Sequence, residues 1–146
     1  MKRILVPLDL TTEPDAVTRV VTDAARGAGA TVRLLHVAPV PEAVIDVNGR
    51  IIAYSDQETA RVEAEVLDYL RSVEIVFDDV PVESVVRFGD PAEEILREAD
   101  EFGADLIVLG TPRGVVSRCF GGTATRVWRH ANTAVMLLKP PALIAL

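Results

Sequence analysis

Five short runs of β-branched residues and leucine stand apart from stretches whose apolar positions recur at helical spacing. The runs are residues 3–8, 31–37, 81–87, 105–109 and Ala134–Leu138. Strands buried on both faces read as unbroken apolar segments rather than alternating ones. By that criterion the first, second, fourth and fifth runs look central, and the third alternates as a half-exposed edge strand does.

Between the runs the period changes. Val17, Val20, Val21, Ala24 and Ala28 fall at i, i+3, i+4, i+7 and i+11; Val62, Val66, Tyr69, Leu70 and Val73 repeat the pattern, as do Ala92, Ile95, Leu96 and Ala99. These spacings predict three helices. The third has a well-marked start: Asp90 can cap it, Pro91 sits where a missing N–H costs nothing, and Glu93 and Glu94 complement the helix dipole. A fourth, shorter helix is expected from about Thr123 to His130.

The resulting order, β-α-β-α-β-α-β-α-β, predicts a doubly wound α/β domain: one five-stranded parallel sheet with helices on both faces, joined by right-handed crossovers. Residues 1–146 are expected to form this single domain. The stretch 38–55, with Pro39, Pro41, Asn48 and Gly49, is too long for a βα connection of roughly 2–6 residues. It is expected to form a flap beside the site.

Composition fits this picture and narrows the function. In 146 residues, 49% hydrophobic and 25% charged, there is enough apolar surface for one core. The 15 Lys and Arg against 22 Asp and Glu leave a net charge of −7. The basic residues are scattered, which argues against a nucleic-acid partner, because phosphate binding needs them clustered. Cys119 alone cannot form an internal disulfide. No signal-peptide pattern or apolar stretch near 18 residues is present, and Lys139-Pro140-Pro141 divides the apolar C-terminus. The expectation is a cytoplasmic protein with no membrane segment.

In an open α/β sheet, ligands bind beyond the carboxyl ends of the strands where the strand order reverses. That rule selects Asp9 and its turn, residues 37–40, the loop after Leu109 and the start of the fourth helix. The loop is the most informative: Gly110-Thr111-Pro112-Arg113-Gly114-Val115-Val116-Ser117-Arg118-Cys119-Phe120-Gly121-Gly122-Thr123 offers four glycines, two arginines and hydroxyl groups just before a helix. Glycine lets backbone N–H groups approach an anion, and a helix N-terminus presents unpaired N–H groups with a favourable dipole. Gly121-Gly122-Thr123 can thus cradle a phosphate, with Thr123 as an extra donor and Arg113 or Arg118 supplying charge. The plainer reading, a turn followed by an N-cap, stays open beside it.

Taken together, Ile4-Leu5-Val6-Pro7-Leu8-Asp9, Leu34-Leu35-His36-Val37, Gly89-Asp90-Pro91-Ala92-Glu93-Glu94-Ile95, Ala104-Asp105-Leu106-Ile107-Val108-Leu109-Gly110 and residues 134–139 resemble the universal stress protein family over nearly the whole chain. The resemblance implies a flavodoxin-like sheet of order 3-2-1-4-5, which puts the last strand at an edge. It also implies a homodimer through the last strands and, in one branch, ATP bound without a dedicated catalytic apparatus, with magnesium only as its companion. That branch has a motif G-x2-G-x9-G-S/T. Here Gly110 matches its first glycine and Gly122-Thr123 its final pair, but the loop is one residue shorter and Pro112 stands near the second glycine's place. By similarity Pro7, Asp9 and Val37 border the adenosine, although Leu10-Thr11 replace the usual Gly-Ser after the aspartate. The cofactor-binding set is then Pro7, Asp9, Val37, Gly110, Arg113, Gly114, Arg118, Gly121, Gly122 and Thr123, with no catalytic residue and no metal ligand.

Other chemistries fit less well. His36 reads as a strand residue and His130 as a helix C-terminal residue, and two His with one Cys are poor material for a metal site. A phosphoacceptor receiver domain would need an acidic pair after the first strand, where only Asp9 stands. The G-x-S-x-G elbow of an esterase and the G-x4-G-K-[ST] of a Walker-type NTPase are both absent. The chain is therefore not expected to be an enzyme of rapid turnover. The rival reading is a nucleotide-free dimeric interaction module.

Overall fold

The computed structural model of the chain describes residues 1–10, 15–110 and 122–138. In chain order the elements are β1 (Arg3–Pro7), α1 (Asp15–Ala28), β2 (Thr31–Ala38), β3 (Val44–Ile45), β4 (Ile51–Ala53), α2 (Ser55–Glu74), β5 (Val82–Phe88), α3 (Pro91–Phe102), β6 (Leu106–Gly110), α4 (Gly122–His130) and β7 (Ala134–Leu138). Five strands form one parallel sheet in the order β5-β2-β1-β6-β7. In terms of the five runs read from the sequence this is 3-2-1-4-5. β1 lies in the middle, opposite Leu34 at Val6 and opposite Ile107 at Leu5.

Alternation along each central strand sends its side chains to two separate cores. Ile4, Val6, Leu8, Val32, Leu34 and Val108 pack with Val17, Val21 and Ala25 of α1 and with Val66, Leu70 and Val73 of α2. Leu5, Leu35, Ile107 and Leu109 pack on the other face with Ala92, Ile95, Ala99 and Phe102 of α3 and Val127 of α4. Burial on both faces is why these runs carry no polar alternation.

Several helix positions differ from the sequence expectation. α1 turns its inner face through Val17, Thr18, Val21 and Ala25, so Val20 is exposed. Val20 fits the spacing, but the stripe packed on the sheet runs one position away, through Thr18 and Val21. On α3 the buried set includes Glu94 and Glu98 as well as the apolar residues. The fifth run, read as central from its unbroken apolar character, is the edge strand β7 in this chain, with Met136 and Leu137 exposed.

Residues 38–55 hold a small antiparallel hairpin, β3 with β4, beneath which lies a cavity of about 290 Å³ lined by Ala38, Val40, Pro41, Glu58 and Val62 among others. The flap expected there is therefore a defined element. Among the described residues no helix is long and apolar enough to cross a membrane.

Candidate functional site

All five sheet strands are parallel, so their carboxyl ends share one edge. Moving outward from β1, the chain goes to β2 on one side and to β6 on the other. The strand order therefore reverses between β1 and β6, and the carboxyl end at such a reversal is where open α/β sheets bind their ligands. Pro7 closes β1 and is half-buried, and Asp9 lies two residues beyond it, exposed. Val37 is the penultimate residue of β2, half-buried and packed against the core under α3 and α4. Gly110 ends β6, opposite Leu138 of β7. Gly122 and Thr123 open α4, the first exposed and the second half-buried. Arg113, Gly114, Arg118 and Gly121 lie outside the described residues.

This edge is held by hydrogen bonds that cross from strand to strand. The Leu8 N–H donates to the Leu35 carbonyl at 2.7 Å, and the Gly89 N–H donates to the Ala38 carbonyl at 3.0 Å. Nδ1 of His36 stands 2.8 Å from the Leu8 carbonyl oxygen. Because that oxygen can only accept, Nδ1 carries the proton, and the imidazole braces the exit of β1. His36 is thus a structural strand residue at the carboxyl edge of the sheet.

A second set of residues positions the helices behind the edge. Glu98 of α3 is 3% exposed and accepts from Arg33 of β2 at 2.7 Å and from Arg87 of β5. Glu94 accepts from Arg87 at 3.2 Å and from Arg97 at 2.6 Å. The Arg33 guanidinium also lies 4.0 Å from the centre of the Phe102 ring. Gly89, at φ 141°, lets the chain leave β5 close to Glu94; a Cβ there would come within 3.2 Å of the carboxylate oxygen.

Asp90 then caps α3, its Oδ2 accepting the Glu93 N–H at 3.0 Å, and Arg126 of α4 reaches the same carboxylate at 3.1 Å. The Glu93 N–H first, and Arg126 second, hold the Asp90 carboxyl below its ordinary value. The cap was legible in the sequence. The Asp90–Arg126 pair was not, because 36 residues separate the partners.

Parallel strands place backbone groups of Gly110 and the N–H groups opening α4 at one end, and a helix N-terminus favours negative charge. Among the described residues, a Cβ built on Gly122 meets nothing within 4 Å. Among the described residues no three His, Cys, Asp or Glu side chains gather as a metal cage.

Residues 1–139 match the model of the Universal stress protein family. Universal stress protein G of Escherichia coli O157:H7 is 35% identical over 63 residues, which is 42% of this chain and 44% of that protein, so the match spans less than half the length of the relative. Among solved structures, universal stress protein UspA from Lactobacillus plantarum superposes with a TM-score of 0.70 at 23% identity, covering 94% of this chain and 97% of the other. The universal stress protein from Archaeoglobus fulgidus in complex with dAMP gives 0.61 at 23% identity, covering 94% and 97%. At these identities the two structures speak for the fold.

Proposed function

The chain belongs to the universal stress protein family, and from that premise we propose that it is a stress-response module that binds an adenine nucleotide, ATP with magnesium, at the carboxyl edge of its sheet, and does not turn it over rapidly. The observation that carries this reading is the meeting, at the β1–β6 reversal, of Pro7 and Asp9, the end of β2 at Val37, Gly110 and the open N-terminus of α4. Pro7, Asp9 and Val37 border the adenosine. The amides of Gly110, Gly114, Gly121 and Gly122 with the Thr123 hydroxyl receive the phosphates, and Arg113 or Arg118 adds charge. A related protein of the same fold holds dAMP.

Bound nucleotide would supply the charge that these donors complement. Phosphoryl transfer further needs a positioned water and electrostatic stabilisation of the leaving group. The loop sequence holds no lysine, and none of the site residues is assigned as a general base, so on this reading the site binds without rapid chemistry.

Pairing of two copies through β7 completes the assembly. An edge strand with apolar side chains invites partners unless it is covered, and a two-fold related β7 covers it. The protein is taken to act in the cytoplasm as this homodimer.

The deciding experiment is mass spectrometry of small molecules released from freshly purified protein, followed by calorimetry with ATP and magnesium. An adenine nucleotide released, or heat on titration, supports the reading. The absence of both at millimolar ligand overturns it. It would leave a nucleotide-free interaction module, the reading that the one-residue-shorter loop with Pro112 favours. Steady-state hydrolysis above roughly 1 s⁻¹, the lower end of ordinary enzymes, would show that the site does more than bind.

A further inference from the structure

We propose that Arg126 is a positioning residue for the nucleotide site, fixing the start of α4 through its ion pair with Asp90; the inference rests on the nucleotide reading above. Arg126 lies about one turn past Gly122, with its Nη1 3.1 Å from both carboxylate oxygens of Asp90. Asp90 is itself a firm anchor. Its Oδ2 holds the Glu93 N–H, the residue before it is bonded to the Ala38 carbonyl, and the helix it caps is tied by Glu94 and Glu98 to Arg87 and Arg33 on the strands.

A continuous set of contacts therefore runs from β2 and β5 through α3 to α4. The N–H groups of Gly122 and Thr123 can bind phosphate only at a set depth from the strand ends, and small misplacements of such donors weaken binding. Arg126 has a different role available, to reach the phosphates itself, and the two roles predict opposite signs. If Arg126 held phosphate, Asp90 would compete with the ligand, and neutralising Asp90 would tighten binding. If Arg126 positions α4, neutralising Asp90 loosens it.

The test titrates ATP with magnesium into wild type, Asp90→Asn, Arg126→Gln and the double variant by calorimetry, and measures amide exchange across residues 122–127 without nucleotide. Asparagine is as good an N-cap as aspartate, so α3 stays capped. Each single change is expected to weaken ATP binding about two- to fivefold, as befits a half-exposed pair. The double variant should lose no more than either single one. The wild-type advantage should shrink toward unity near 1 M potassium chloride, where the Debye length is about 3 Å. Exchange in α4 should quicken in all three variants.

Tighter or unchanged binding in Asp90→Asn, or losses that simply add, overturns the positioning role. A wild type that takes no ATP overturns the nucleotide reading instead. The exchange arm then decides the role of the pair by itself: quickened exchange upholds the hold on α4, and unchanged exchange overturns it.

Discussion

Nη1 of Arg33 stands 2.7 Å from Oε1 of Glu98, a carboxylate on α3 that is only 3% exposed. The second oxygen of Glu98 accepts from Arg87 on the neighbouring strand. One acidic side chain thus joins β2, β5 and α3 where an apolar residue would be expected.

Glu98→Ala should therefore destabilise the protein sharply. Removing one partner of a buried pair leaves uncompensated charge and costs about 3–5 kcal/mol. The lower end applies here, because Arg33 and Arg87 keep some solvent contact and the neighbours Glu83, Glu94 and Glu101. Urea denaturation should give a loss of about 3 kcal/mol. Replacing Arg33, Arg87 and Glu98 together by apolar residues of similar volume should cost less than the single change. A larger loss in the triple variant would show that the cluster is stabilising in itself.

The pairing of β1 with β6 should weaken in acid. Oδ2 of Asp105 accepts the Lys2 N–H at 2.7 Å and the Arg3 N–H at 3.0 Å, and these bonds hold its carboxyl below the ordinary value of 3.8. A group whose folded pKa is depressed contributes stability above its unfolded pKa and loses it as pH falls through the folded value. The Asp105→Asn variant should be the less stable protein at about pH 7, and the gap should close below about pH 4. Urea midpoints measured across that range check both the sign and the window.

At the carboxyl edge, Gly122→Val should separate folding from binding. A Cβ at this position meets nothing within 4 Å among the described residues. Thermal unfolding should therefore stay close to that of the wild type, while the added bulk blocks a phosphate and ATP heat disappears. Thr123→Ala should weaken ATP by about 1.5–3 kcal/mol, the worth of a hydrogen bond to a charged group. Full ATP affinity in both variants would place the phosphates elsewhere.

For assembly, Leu137→Asp should yield a monomer. Met136 is 39% exposed and Leu137 37% exposed on the edge strand, and a carboxylate in a paired edge is a strong deterrent. Light scattering should give about twice 15.8 kDa for the wild type and near 15.8 kDa for the variant. A wild type at the lower mass at micromolar concentration would rule out the dimer.

The sequence by itself determined the layered architecture and the five parallel strand runs of the sheet. Its central strand runs are unbroken because both faces are covered, its helices repeat every three to four residues, and Asp90-Pro91 announces α3 through a local cap. Glycines next to a helix start are likewise local signals: Gly110 ends β6, and Gly122 and Thr123 open α4.

What only the tertiary structure decided is what depends on partners far along the chain. Glu94 and Glu98, spaced like a solvated helix face, are buried because Arg33 and Arg87 arrive from strands up to 65 residues away. The apolar run of β7 reads as central, yet lies at an edge. Local apolarity records how much cover a strand needs and not which neighbours it has; among the described residues the assembled sheet places no further strand beside it, in the order the family resemblance implied.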